Sequence, residues 1–244
     1  MQRLNKYIAQ SGICSRRNAD ELITSGAVKV NGKIVQELGF HVSSKDKVHI
    51  NDVLIHLAKY EYYKFFKPAG YITTADDEKG RKTIYDVLPK EFYGLKPAGR
   101  LDKNSTGLLI MTNDGELINK LTHPSLKVVK VYLVSVEGKI GINDIKTMSG
   151  GIEIEQGKTA YAECSLLEYK NKCSTLQVIL RQGLNRQIRK MFECIGHPVI
   201  SLKRMQHGTI TLDGLKRGQI KQIKPSQIKN LMKYLDKLEK QNND

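Results

Sequence analysis

Apolar positions return every three or four residues at the start of the chain. In RLNKYIAQSG, Leu4, Tyr7 and Ile8 share one helical face, and Gly12 is placed to end that helix. Ser15 offers an N-cap to RRNADELITSG, where Ala19, Leu22 and Ile23 face inward and Gly26 is a stop. The period then drops to two. AVKVNGKIV holds two short β-rich runs about Asn31-Gly32, a dipeptide that accepts the positive φ angles of a tight hairpin, and DKVHIND adds one more strand.

From YYKFFKPAGYITT onward, strand-like runs alternate with short helical ones. LLIMT predicts a buried strand, DGELINKLTH a short helix opened by Asn113 or Asp114, and VVKVYLVSVEG a strand of alternating character. AYAECSLLEY and STLQVILRQG predict an antiparallel pair, NRQIRKMFECIG a helix stopped by Gly196, and PVISLKR and GTITLDG further strands. KPSQIKNLMKYLDKLEK predicts an amphipathic helix with Ile228, Leu231, Met232, Leu235 and Leu238 inward, leaving only QNND frayed. Strands outnumber crossover helices, which implies an α+β chain. A small N-terminal α/β domain (1–51) and a linker (52–60) precede a larger domain (61–244), whose mixed, mostly antiparallel sheet is flanked by helices.

Charge sharpens this picture. The chain of 244 residues carries a net +15, and residues 170–244 alone hold 16 basic and 5 acidic side chains. Such a concentration is the footprint of a polyanionic partner, nucleic acid above all. In the first domain Arg3, Lys6, Arg16, Arg17, Lys29 and Lys33 occupy polar positions. Arg16 and Arg17 sit in the first turn of a helix, against its dipole, which solvation alone explains poorly.

Several chemistries find no residues to carry them. Cys14, Cys164, Cys173 and Cys194 form no Cys-x-x-Cys pair, and the six histidines show no metal-ligand spacing, so no metal is expected. There is no nucleophile elbow, phosphate loop or dinucleotide fingerprint, so no cofactor is expected either. The absence of a secretory apolar core or a long apolar run predicts a cytoplasmic protein with no membrane partner. What remains is GRLDKNSTGLLIMTNDG, with Asp102 among Arg100 and Lys103, and the arginine-rich GLNRQIRK. Either Asp102 caps a turn or pairs with Arg100, or it is a reactive carboxylate held among cations.

Two resemblances bear on that choice. RLNKYIAQSGICSRRNADELITSGAVKVNGKIV resembles the S-four-type RNA-binding domain, whose basic helix and hairpin edge grip folded RNA through phosphate and shape. GRLDKNSTGLLIMTNDG, KVYLVSV and GLNRQIRKMFECIGHPVISLKR, in that order, resemble the three motifs of the RsuA/RluB/RluF family of RNA pseudouridine synthases. GHPVISLKR and KGRKTIYDVLP look closer to the RluB branch, RLNKYIAQSGICSRR and QGLNRQIRKM to the RluF branch.

The resemblance implies a cofactor-free isomerase that converts a uridine in a ribosomal RNA stem-loop to pseudouridine, with large-subunit RNA the expected partner and a monomer the expected state. By position, Asp102 fills the family's essential aspartate, Tyr132 its active-site tyrosine and Arg189 its arginine. Arg100 is a candidate to fill the gap left by the extruded nucleotide. Lys103, Arg186 and Lys190 are expected to hold phosphates, and Asn185 and Gln187 either bond to the RNA or brace their loop. Lys67-Pro68 matches a motif at the start of the sheet, and His197 reads as structural. The alternative is a non-enzymatic RNA- or ribosome-binding protein, which needs the lysines but has no use for Asp102.

Overall fold

The computed structural model describes residues 1–74 and 77–243. Its contacts divide into two compact units, Met1–Glu61 with Asn113–Gly115, and Tyr62–Thr112 with Glu116–Asp244.

In the first unit, helix α1 (Leu4–Gln10) buries Leu4, Tyr7 and Ile8. Helix α2 (Arg16–Thr24) is capped by Ser15, whose side chain accepts from the Asn18 amide, and buries Ala19 and Ile23. Strands β1 (Val28–Val30) and β2 (Lys33–Ile34) pair about Asn31 and Gly32, both at positive φ. Strand β3 (Val48–Ile50) lies against β1. One element falls inside the stretch expected to be a linker: β4 (Val53–Leu54) pairs with β3. The Ala58 amide also donates to the Gln10 carbonyl at 3.2 Å, so residues 52–60 are tied to this unit.

The second unit is built on one large sheet. Its strands are β5 (Tyr62–Lys67), β6 (Thr106–Thr112), β7 (Lys130–Glu137), β8 (Glu163–Lys170), β9 (Cys173–Leu180), β10 (Val199–His207) and β11 (Ile220–Gln222). They lie in the order β8-β9-β7-β10-β6-β5-β11, antiparallel throughout except where β10 runs parallel to β6. The mixed, mostly antiparallel sheet expected from the sequence is therefore what the chain forms.

Alternation along β6 divides the core. Leu109 and Met111 join Tyr132, Val134, Met191 and Phe192 on one face. Leu108 and Ile110 join Leu117, Leu121, Leu231 and Leu235 on the other. The second group brings in helix α3 (Gly115–Thr122) and the terminal helix α6 (Pro225–Asn243), which runs through most of the tail expected to fray. Helix α4 (Ile142–Gly150) has no counterpart in the sequence reading; Met148 is its only buried residue. Helix α5 (Gln187–Cys194) follows the arginine-rich turn.

Where β6 meets β10 the backbones come unusually close. Gly107 has φ +108°, and a Cβ there would lie 2.3 Å from the Arg204 carbonyl oxygen and 2.5 Å from its amide nitrogen. Only glycine fits that junction.

Candidate active site

Leu101 to Ser105, the loop feeding β6, is fastened from below. Lys67, at the end of β5, is 0% exposed. Its ammonium donates to the carbonyls of Pro68, Asp102, Lys103 and Ser105 at 2.8–3.3 Å. The Thr73 hydroxyl donates to the Leu101 carbonyl at 2.8 Å and accepts from the Leu101 amide. The Gly70 amide donates to the Lys103 carbonyl, and the Ser105 amide to that of Asp102. These bonds engage the loop's backbone and leave the Asp102 side chain to face a cleft.

That cleft has a volume of about 730 Å³ and is lined by Asp102, Arg100, Tyr132, Arg186 and Arg189 among others. Tyr132 stands on β7, 8% exposed, and Arg204 on β10 is its cross-strand partner. Arg186 precedes α5 in a left-handed conformation, φ 50° and ψ 31°, and its Nη1 lies 3.9 Å from an Asp102 carboxylate oxygen. Arg189, one turn on, donates to the Val199 carbonyl at 3.2 Å. Burial and then the charge of Arg186 pull the Arg189 guanidinium below its ordinary pKa, while the negative Asp102 acts the other way. The cations whose field Asp102 enters are thus Arg186, Arg189 and Lys67.

The remaining site residues expected from the sequence are distributed as follows in the fold. Gln187, offered as an RNA contact or a brace, is 3% exposed. Its amide donates to the Tyr161 carbonyl and to Gln182, and accepts from the Leu184 amide, so it braces the turn. Lys190 pairs with Glu155. Lys103 is exposed outside the cleft and meets the loop through its carbonyl. Asn185 and Arg100 are exposed on the cleft rim. His197 bonds to the Glu137 carbonyl through Nδ1 at 2.7 Å, consistent with a structural task.

In the first unit Arg3, Arg16, Arg17 and Lys33 are exposed, and Lys6 and Lys29 are half-buried. Lys29 pairs with Asp52 at 2.6 Å. The residue that sequence reasoning undervalued most is Lys67. A lysine on the inward phase of YYKFFK was the available signal, since such a position is normally apolar.

A carboxylate facing a basic cleft from a rigid loop, beside a tyrosine and two arginines, suits chemistry on an anionic polymer without a cofactor. A family model described as RNA pseudouridylate synthase matches residues 61–194, and the S4 domain model matches residues 2–48. The chain belongs to the RNA pseudouridylate synthase family.

Among curated relatives, "Ribosomal large subunit pseudouridine synthase B" of Bacillus subtilis (strain 168) is 42% identical over 97% of this chain and 98% of its own. An "Uncharacterized RNA pseudouridine synthase" of Aquifex aeolicus (strain VF5) is 36% identical over 95% and 94%. A solved structure described as a pseudouridylate synthase superposes with a TM-score of 0.68 at 29% identity, covering 95% of this chain and all of that one. Membership settles the choice between enzyme and binder: the chain is an RNA pseudouridine synthase carrying an RNA-binding domain.

The clamp on the Asp102 loop has a measurable consequence. Replacing Lys67 by Met removes the donor that ties four carbonyls together, leaving those of Asp102 and Lys103 only their backbone donors, and is expected to cost about 3 kcal/mol of stability, together with most of the activity. Burial pushes the Lys67 ammonium down to about 8, although Asp102 opposes this, and burial followed by the charge of Arg204 brings Lys130 to about 8. Between that pH and 10.5 the unfolded chain therefore binds more protons than the native one, so native stability rises across that window with increasing pH. Activity should move oppositely, since the ammonium shares three N–H donors among the four carbonyls and a neutral Lys67 keeps only two. A kcat/KM that stays flat to about pH 9.5 would show that Lys67 keeps its proton in the native enzyme, against the lowered value that its burial implies.

Proposed function

We propose that this enzyme isomerises one uridine in a stem-loop of large-subunit ribosomal RNA, acting as a monomer in the cytoplasm, with Asp102 as the reacting carboxylate. The observation that carries this reading is the meeting of Asp102, Tyr132, Arg186 and Arg189, from three separate segments, in one basic cleft. Likeness along almost the full length of the Bacillus subtilis large-subunit enzyme supports the choice of RNA.

The reaction breaks the bond from N1 of uracil to C1′ of ribose and forms one from C5 to C1′. The proton leaves C5 and N1 gains one, so atoms balance with no co-reactant. A carboxylate serves by attacking the nucleoside or by taking a sugar proton. Tyr132 offers a face for the uracil, and the arginines keep negative charge tolerable at the site. Because the target lies within folded RNA, it must be extruded to reach Asp102, and Arg100, which lines the cleft, is the side chain we assign to the vacated position.

Mapping pseudouridines in ribosomal RNA after deleting the gene tests the substrate. One large-subunit position should lose its modification and regain it when the gene is restored; an unchanged map rejects the assignment. The first domain's part is tested by salt titration. Replacing Arg16 and Arg17 by Ala should weaken RNA binding most at low salt and flatten the dependence of log K on log salt by about 2. An unaltered slope removes those two residues from the interface.

A further inference from the structure

Three basic side chains lining the cleft, Lys130, Arg204 and His207, gather without a counter-charge among the described residues. Lys130 and His207 are cross-strand partners on β7 and β10, beside the Tyr132–Arg204 pair, so all four project from the same face of the sheet. Arg204 is 2% exposed and His207 0%. The Arg204 Nε donates to the Leu108 carbonyl at 2.8 Å, yet its Nη2 is buried without a partner. His207 bonds to the Leu121 carbonyl through Nε2 at 3.2 Å, and its Nδ1 is buried and unpartnered. The Lys130 ammonium reaches only the Val128 carbonyl, at 3.1 Å.

Buried arginines are ordinarily paired with carboxylates, because an unpaired buried charge is expensive. Among the described residues no carboxylate pairs with any of these three. The charges acting on Lys130 and His207 are all positive: Arg204 on the first, Arg204 and Lys130 on the second. Burial and those neighbours hold His207 well below its ordinary value, so near neutral pH the fixed charges are Lys130 and Arg204. All three line the same cleft as Asp102 and Tyr132.

We propose that Lys130 and Arg204, with His207 beside them, form an anion subsite that takes a phosphodiester flanking the target uridine. The one proton of the neutral His207 is held on Nε2 by the Leu121 carbonyl, so the ring shapes the subsite without contacting the anion. The subsite anchors the extruded nucleotide by its backbone while Tyr132 and Asp102 meet its base and sugar. This deepens the proposed function, and it accounts for an otherwise unfavourable cluster. The polymer supplies the missing negative charge, and Arg204 gains an acceptor for its idle Nη2.

Calorimetric titration with uridine 3′,5′-bisphosphate and with plain uridine tests it on the full-length protein. The bisphosphate should bind the wild-type enzyme more tightly than uridine does. Lys130→Met should bind it about tenfold more weakly while binding uridine as before. Lys130→Met should also melt no lower than wild type, because it removes one of several crowded positive charges. Arg204→Met should lose bisphosphate binding at least as far; if it fails to fold, Lys130→Met alone decides. Lys237→Met, on the exposed face of α6, serves as the control and should bind normally.

Equal affinity of the wild-type enzyme for the two ligands overturns the proposal. So does an equal loss of both in Lys130→Met, which would make the cluster a base-recognition site. The underlying function fails separately. If Asp102→Asn still makes pseudouridine, the catalytic reading falls while the bisphosphate result stands.

Discussion

Asp102→Asn should lower the rate of pseudouridine formation on the RNA substrate by about 10⁴-fold while leaving the protein folded. The substitution keeps the side chain's shape and removes its charge and basicity, which both candidate steps require. Little of the fold depends on that charge. The loop is held by its carbonyls, through Lys67, and by Thr73 at Leu101. Among the described residues the Asp102 carboxylate makes one ion pair, with Arg186 at 3.9 Å and with both side chains partly open to solvent. Such a pair contributes about 1 kcal/mol or less. Single-turnover assays with denaturant melts on the same sample separate the effects. A variant that keeps a tenth of the rate, or one that loses its melting transition, contradicts the assignment.

Gly107→Ala is the change expected to damage the fold most. A methyl group there meets the Arg204 backbone at 2.3 Å, and backbone cannot swing aside as a flexible side chain can. The positive φ of Gly107 adds its own penalty. Relief requires separating β6 from β10 at the residues that join Lys203 to Thr106 and Arg204 to Gly107. The expected cost is about 3–5 kcal/mol, lowering the melting temperature of the second unit by roughly 10 °C. Any active Gly107→Ala protein should bind RNA through its first unit yet turn over slowly, because the moved strand carries Arg204. A variant that melts like wild type would mean that the junction relaxes freely.

Local signals carried most of the secondary structure. Asn31-Gly32 announces its hairpin because few residues accept positive φ twice in succession, and Ser15 announces α2 because its oxygen meets a free amide. Helix α4 escaped notice because Met148 alone gives it no periodic stripe. The strand order was beyond reach, since nothing near residue 199 says that β10 inserts between β7 and β6.

The site divides in the same way. Asp102, Tyr132 and Arg189 stand in motifs that a family resemblance marks. Lys67, Lys130, Arg204 and His207 stand where strand alternation expects apolar residues, and a buried cation is rare enough to question. The tasks of Gln187 and Lys190 could not be read locally. Their partners Tyr161, Gln182 and Glu155 are brought to them by tertiary folding, so the sequence alone left Gln187 between an RNA contact and a brace.

The insertion of β10 between two strands made much earlier has a consequence during synthesis. A nascent chain released only to residue 198 already possesses its aspartate and tyrosine, but the partition that sets them on either side of one cavity has yet to emerge. Modification therefore has to wait until residues 199–207 have been made, and products ending before them should grip RNA without altering it.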